Sequence, residues 1–114
     1  MTAVRAVRGA TTVAEDTPEC IAAATRRLAE ELLGRNGLVR GDVISLMFTC
    51  SPDLTSDTPA LALREADWDV PVLCAVDTPW VGAPTRTIRV MAHVGAAGPL
   101  TPVYLGDSAA TRPR

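Results

Sequence analysis

Arg8, Cys74, Asp77, Arg89 and Tyr104 are polar or reactive residues set on or beside short apolar runs: VRGATT, PVLCAVD, RTIRVMAHV and PVYL. An arginine offers a planar fork of donors that stays charged and can pair two ways with a carboxylate. Held among apolar neighbours, Arg8 and Arg89 each need an anion. That anion is either a protein carboxylate such as Asp77 or a bound ligand. Asp77 ends a strand-like run, where residues commonly line sites, and equally suits a turn cap before Thr78-Pro79. Cys74 as a nucleophile needs a nearby base. The single histidine, His93, lies in a different strand-like segment, so a buried inert thiol is the simpler reading. Tyr104 taken alone is a half-buried strand tyrosine, and Arg64 a solvated helix residue. The sequence contains no glycine-rich phosphate loop, nucleophile elbow or metal-ligand spacing. Such a set suits the gripping of a small anion better than hydrolysis.

The elements that carry these residues are legible from periodicity. Val4, Ala6 and Arg8 alternate with Arg5 and Val7, which predicts a strand with Arg8 on the face of small apolar residues. Asp16 or Thr17 caps a helix with Pro18 in its first turn and Glu19 placed for a capping box. Ile21, Ala24, Leu28 and Leu32 follow helical spacing, and Gly34 with Asn36-Gly37 stops it. Val43 to Cys50 reads as a buried strand ended by Ser51-Pro52-Asp53. Asp57 or Thr58 caps a short helix with Pro59 in its first turn and Leu61, Ala62 and Glu65 within it. Pro71 to Val76 reads as a second buried strand, and Pro79 to Pro84 as a loop. Arg86 to Val94 alternates, with Ile88, Val90, Ala92 and Val94 on one face and Thr87, Arg89, Met91 and His93 on the other. A turn at Gly95 to Pro99 and a short strand at Val103 to Leu105 follow. The polar tail from Gly106 is expected to be mobile unless a ligand orders it. This order predicts an α+β fold with a mixed sheet covered by helices.

Composition bounds the rest. The 114 residues are 47% hydrophobic, enough for one domain over residues 1–114 with a real core. Aromatic residues are few, so the core must be aliphatic, and so small a domain gains from burial in an oligomer. The net charge is −2 and all 11 basic residues are arginine. No basic stripe points to nucleic acid, and no apolar stretch is long enough to span a membrane. The N-terminus lacks the apolar core of a secretion signal. Cys20, Cys50 and Cys74 fit reduced thiols in a cytoplasm rather than a zinc site.

In order along the chain, VRGATTV, SPDL, PA…REA, PV-C before a carboxylate, IRVM and VYL together resemble the small trimeric chorismate mutases, the non-helical class of that enzyme. The resemblance implies a pseudo-β-barrel homotrimer with sites at subunit interfaces. It also implies a cofactor-free and metal-free Claisen rearrangement of chorismate to prephenate, on the route to phenylalanine and tyrosine. By this resemblance Arg89 faces the ether oxygen and a carboxylate. Arg8 binds the anionic groups on the ring side, Tyr104 contacts a carboxylate, and Cys74 and Asp77 line the ring-hydroxyl side. Arg64 approaches from the neighbouring subunit, Thr58, Ala60 and Leu73 line the pocket, and Arg112 is the basic residue of the tail. The chain departs from the family pattern at Asp77, where glutamate is usual. It departs also at Thr58 for an aromatic, at Leu61 for a lysine, and in the loop Pro79 to Pro84. A relative specialised for another chorismate-like molecule, or a ligand-binding trimer without catalysis, are the competing expectations.

Overall fold

A computed structural model describes residues 2–109, so Arg112 lies outside the described residues. Strand β1 (Ala3–Thr12) leads to helix α1 (Pro18–Arg35), strand β2 (Val43–Cys50), helix α2 (Pro59–Glu65), and strands β3 (Val72–Val76), β4 (Thr87–Ala96) and β5 (Val103–Tyr104). The sheet order is β3-β2-β4-β1-β5. β4 runs antiparallel to both β1 and β2, whereas β2–β3 and β1–β5 are parallel. The expected α+β mixed sheet with helices is therefore the fold.

Alternation splits the sheet into two unlike faces. Val7 of β1, Leu46 and Phe48 of β2, and Ile88, Val90, Ala92 and Val94 of β4 are buried. They form one core with Ile21, Leu28 and Leu32 of α1 and Leu63 of α2. Burying each of the Val, Leu, Ile and Phe side chains contributes roughly 1.5–3 kcal/mol. Gly9 lets α1 approach closely. A Cβ there would stand 3.1 Å from a Leu28 methyl, 3.2 Å from the Val103 carbonyl oxygen and 3.3 Å from Val90. Among the described residues neither α1 nor α2 covers the opposite face, and Val4, Met47 and Leu73 remain exposed there.

Local signals set the helix ends. Thr17 is the N-cap of α1 and accepts the Cys20 N–H, while Pro18 occupies the first turn. The α1 helix runs through Gly34 and ends at the Asn36 cap, with Gly37 at φ 64°. Asp16 is free to do something else. Its carboxylate accepts the N–H and hydroxyl groups of both Thr55 and Ser56, tying the β1–α1 connection to the β2–α2 connection. These bonds, the Ser56 hydroxyl foremost, hold the Asp16 carboxyl below its ordinary value of 3.8. A lowered folded-state value stabilises the fold above the unfolded value and loses that effect as pH falls through the folded one. Asp16→Ala is expected to lower the melting temperature at neutral pH. The gap to the parent should narrow well below pH 3.8, as thermal melts at the two pH values will show.

Three expectations need correction. Pro71 to Val76 does not make a buried strand: β3 is an edge strand, with Leu73 and Val76 exposed. The β2 run is buried on one face only, because nothing among the described residues covers Met47. Helix α2 contains Leu61, Ala62 and Glu65 as expected, and its buried residues are Pro59, Ala62 and Leu63. Gly106 to Ala109 is not loose tail but a 3-10 turn. Gly106 sits at φ 57° against the Thr12 hydroxyl, which leaves no room for a side chain, and Thr12 accepts the Asp107 N–H.

Candidate active site

The register of the open face gathers the charged groups around Ala10, which pairs with Arg89 on β4 and with Tyr104 on β5. Arg8 lies opposite Met91, and β2 adds Met47 opposite Met91 and Thr49 opposite Arg89. By strand parity Arg8, Arg89, Met91, Thr49 and Tyr104 all face the same way. With Ser108 from the last turn they line a cavity of about 230 Å³.

Asp77 follows β3, and its N–H donates to the Cys50 carbonyl at 2.8 Å. Strand β2 lies between β3 and β4, so Arg89 must cross over β2 to approach Asp77. Its Nε stands 3.8 Å from Asp77 Oδ2, with side-chain exposures of 31% and 16% respectively. That separation is longer than a hydrogen bond. Asp77 attracts the guanidinium without consuming its donors, which stay available to a ligand. Arg8 makes no hydrogen bond or ion pair among the described residues. Two arginines against one carboxylate leave an excess of positive charge where an anion can sit.

The remaining candidates lie elsewhere. Cys74 pairs with Phe48 and so belongs to the helix-covered face. It is exposed at the sheet edge, but its sulfur rests on the first turn of α2, where it accepts the Ala60 N–H at 3.2 Å. Thr58 is the N-cap of α2 and accepts the Leu61 N–H at 3.3 Å. Arg64 occupies the exposed last turn of the same helix. Leu73 points to the open face opposite Met47 and is 66% exposed. Within one chain, then, Arg8, Arg89, Tyr104 and Asp77 come together. Cys74, Thr58, Ala60 and Arg64 form a second group around α2, and none of these four lines the cavity.

Burial pushes the Cys74 thiol up, outweighing the Ala60 N–H. The Cys50 thiol is pushed up to about 11 by burial first, then by Cys74, Asp77 and Asp53. Both stay protonated at neutral pH, so neither supplies a thiolate nucleophile. Among the described residues no group of three or more His, Cys, Asp or Glu is placed to hold a metal ion.

Sequence reasoning missed Met47, Thr49 and Ser108 as cavity residues. Thr49 and Met47 carry a faint signal in the alternation of β2, but their relation to Arg89 and Met91 depends on a strand register the sequence does not print. Ser108 carried no signal. It reaches the cavity because its hydroxyl bonds the Ala10 carbonyl oxygen, 3.0 Å away and 98 residues earlier in the chain.

The profile of the family described as chorismate mutase type I matches residues 4–114. The chorismate mutase AroH of Thermus thermophilus is 41% identical, over 96% of this chain and 94% of its own. The chorismate mutase AroH of Bacillus subtilis is 36% identical, over 96% of this chain and 91% of its own. Among solved structures, a chorismate mutase from Clostridium thermocellum superposes with a TM-score of 0.86 at 35% identity, covering 92% of this chain and 98% of that one. A match of this length in both sequence and structure leaves one conclusion: the chain belongs to the type I chorismate mutase family.

Proposed function

We propose that this protein is a chorismate mutase, catalysing the cofactor-free rearrangement of chorismate to prephenate in aromatic amino acid biosynthesis. The observation that carries this reading is the convergence of Arg8, Arg89 and Tyr104 on one cavity, in a chain of this family. The reaction breaks an ether C–O bond while a C–C bond forms. It asks the protein to hold a dicarboxylate in its compact conformer and to stabilise charge growing on the ether oxygen. Arg89, its fork left open beside Asp77, takes the second task. Arg8 and Tyr104 hold carboxylates.

The unit at work is a homotrimer of single-domain chains, with each site shared between neighbours. Three features support this. Small ligand pockets commonly run from about 300 to 1,000 Å³, and the cavity of one chain, about 230 Å³, falls short of that. The open face presents Val4, Met47 and Leu73 to solvent, and an uncovered apolar sheet face of this kind calls for a covering partner. Cys74, Thr58, Ala60, Leu73 and Arg64 stand outside the cavity of their own chain and complete that of a neighbour. No helix among the described residues is long and apolar enough to cross a membrane. We assign the trimer to the cytoplasm, where its three free cysteines stay reduced.

A specialised relative is the second reading, favoured by Asp77, Thr58 and the exposed Trp80 in the loop after Asp77. Asp77→Glu separates the two. A pocket built for the longer side chain leaves aspartate about one C–C bond short of the substrate hydroxyl, and hydrogen bonds weaken quickly with distance. For a chorismate mutase, Asp77→Glu raises kcat or leaves it unchanged. A clear fall in kcat with the assembly intact means that the site is shaped around aspartate, and puts the specialised relative first. Binding of chorismate by the parent protein without turnover points instead to a non-catalytic trimer.

A further inference from the structure

We propose that Thr49 is a further substrate-contact residue, its hydroxyl donating to the same anionic oxygen that Arg89 engages. The proposal rests on the chorismate mutase reading only for the identity of the ligand. Thr49 is the β2 residue directly paired with Arg89, on the same face, and both line the cavity. Arg89 spans β2 on its way toward Asp77, and its crossing starts from the row of the sheet that Thr49 occupies. The other aliphatic hydroxyls of the cavity are committed. Thr87 donates to the Thr85 carbonyl at 2.8 Å, and Ser108 to the Ala10 carbonyl at 3.0 Å. Thr49 alone of the three makes no side-chain hydrogen bond among the described residues. A half-buried hydroxyl left open in a cleft loses part of its hydration when a ligand enters, and an anion held by the neighbouring guanidinium restores the bond.

The test compares Thr49→Val, which keeps the shape and strand preference but removes the hydroxyl, with Thr49→Ser, which keeps the hydroxyl. A bond to a charged acceptor predicts that Thr49→Val lowers kcat/KM for chorismate about tenfold, with the oligomer and melting temperature unchanged. Thr49→Ser should recover most of the loss. A rise in KM assigns the bond to a carboxylate, and a fall in kcat assigns it to the ether oxygen. Calorimetric titration with prephenate, itself a dicarboxylate, is run in parallel, so that the assignment does not depend on turnover. If the parent binds prephenate without turning over chorismate, weaker binding by Thr49→Val still upholds the contact while the mutase reading falls. The proposal is overturned if Thr49→Val matches the parent in both assays, if Thr49→Ser is as impaired as Thr49→Val, or if the parent binds no prephenate and turns over no chorismate.

Discussion

Arg89→Ala is expected to lower kcat for chorismate by on the order of a hundredfold or more, the usual effect of losing one donor aimed at transition-state charge. Arg89→Lys should restore little of it. A lysine supplies a point charge where the site uses a planar fork. Asp77 sits at 3.8 Å, close enough to attract the cation but too far to occupy its donors, so the full fork is available to substrate. Steady-state kinetics on folded protein decide the matter, and an Arg89→Ala enzyme retaining most of its kcat would remove Arg89 from the mechanism.

Leu73→Glu is expected to dissociate the assembly and abolish turnover. Leu73 is 66% exposed in a single chain, opposite Met47 on the uncovered face. Were the chain monomeric, a glutamate there would be an ordinary surface change, within about 0.5 kcal/mol. Buried between subunits, an unpaired carboxylate costs several kcal/mol. Sedimentation equilibrium should find the parent protein as a trimer and Leu73→Glu as smaller species. A parent that is monomeric at micromolar concentration would contradict the shared site and leave Arg64 with nothing to reach.

Particular residues show how far the sequence could be read. The alternation from Thr87 to Val94 assigned both faces of β4 correctly, because a half-buried strand writes its environment at every second position. Pro18 after Asp16 or Thr17 placed the start of α1, and Pro59 after Asp57 or Thr58 that of α2, because capping is local chemistry; the structure selects Thr17 and Thr58. Pro71 to Val76 misled for a physical reason. An apolar run looks the same whether helices of its own chain or another body covers it, and β3 lies at the sheet edge. The turn at Gly106 was illegible because the contact that defines it, Thr12, lies at the other end of the chain. In the site, Arg8, Arg89 and Tyr104 stood out as polar residues in apolar strands. Thr49 did not, since its pairing with Arg89 depends on the β2–β4 register. Cys74 could be picked by type, whereas its resting place against Ala60 on the helix-covered face could not.

The central chemistry proposed for the protein is a cofactor-free rearrangement by a site of arginines. The most direct measurement is to add purified, chelator-treated protein to chorismate with no cofactor, following loss of chorismate and formation of product by NMR. Stoichiometric conversion to prephenate is expected, at a rate proportional to protein concentration and lost in Arg89→Ala. A rate no faster than the uncatalysed reaction, or a product other than prephenate, would contradict it.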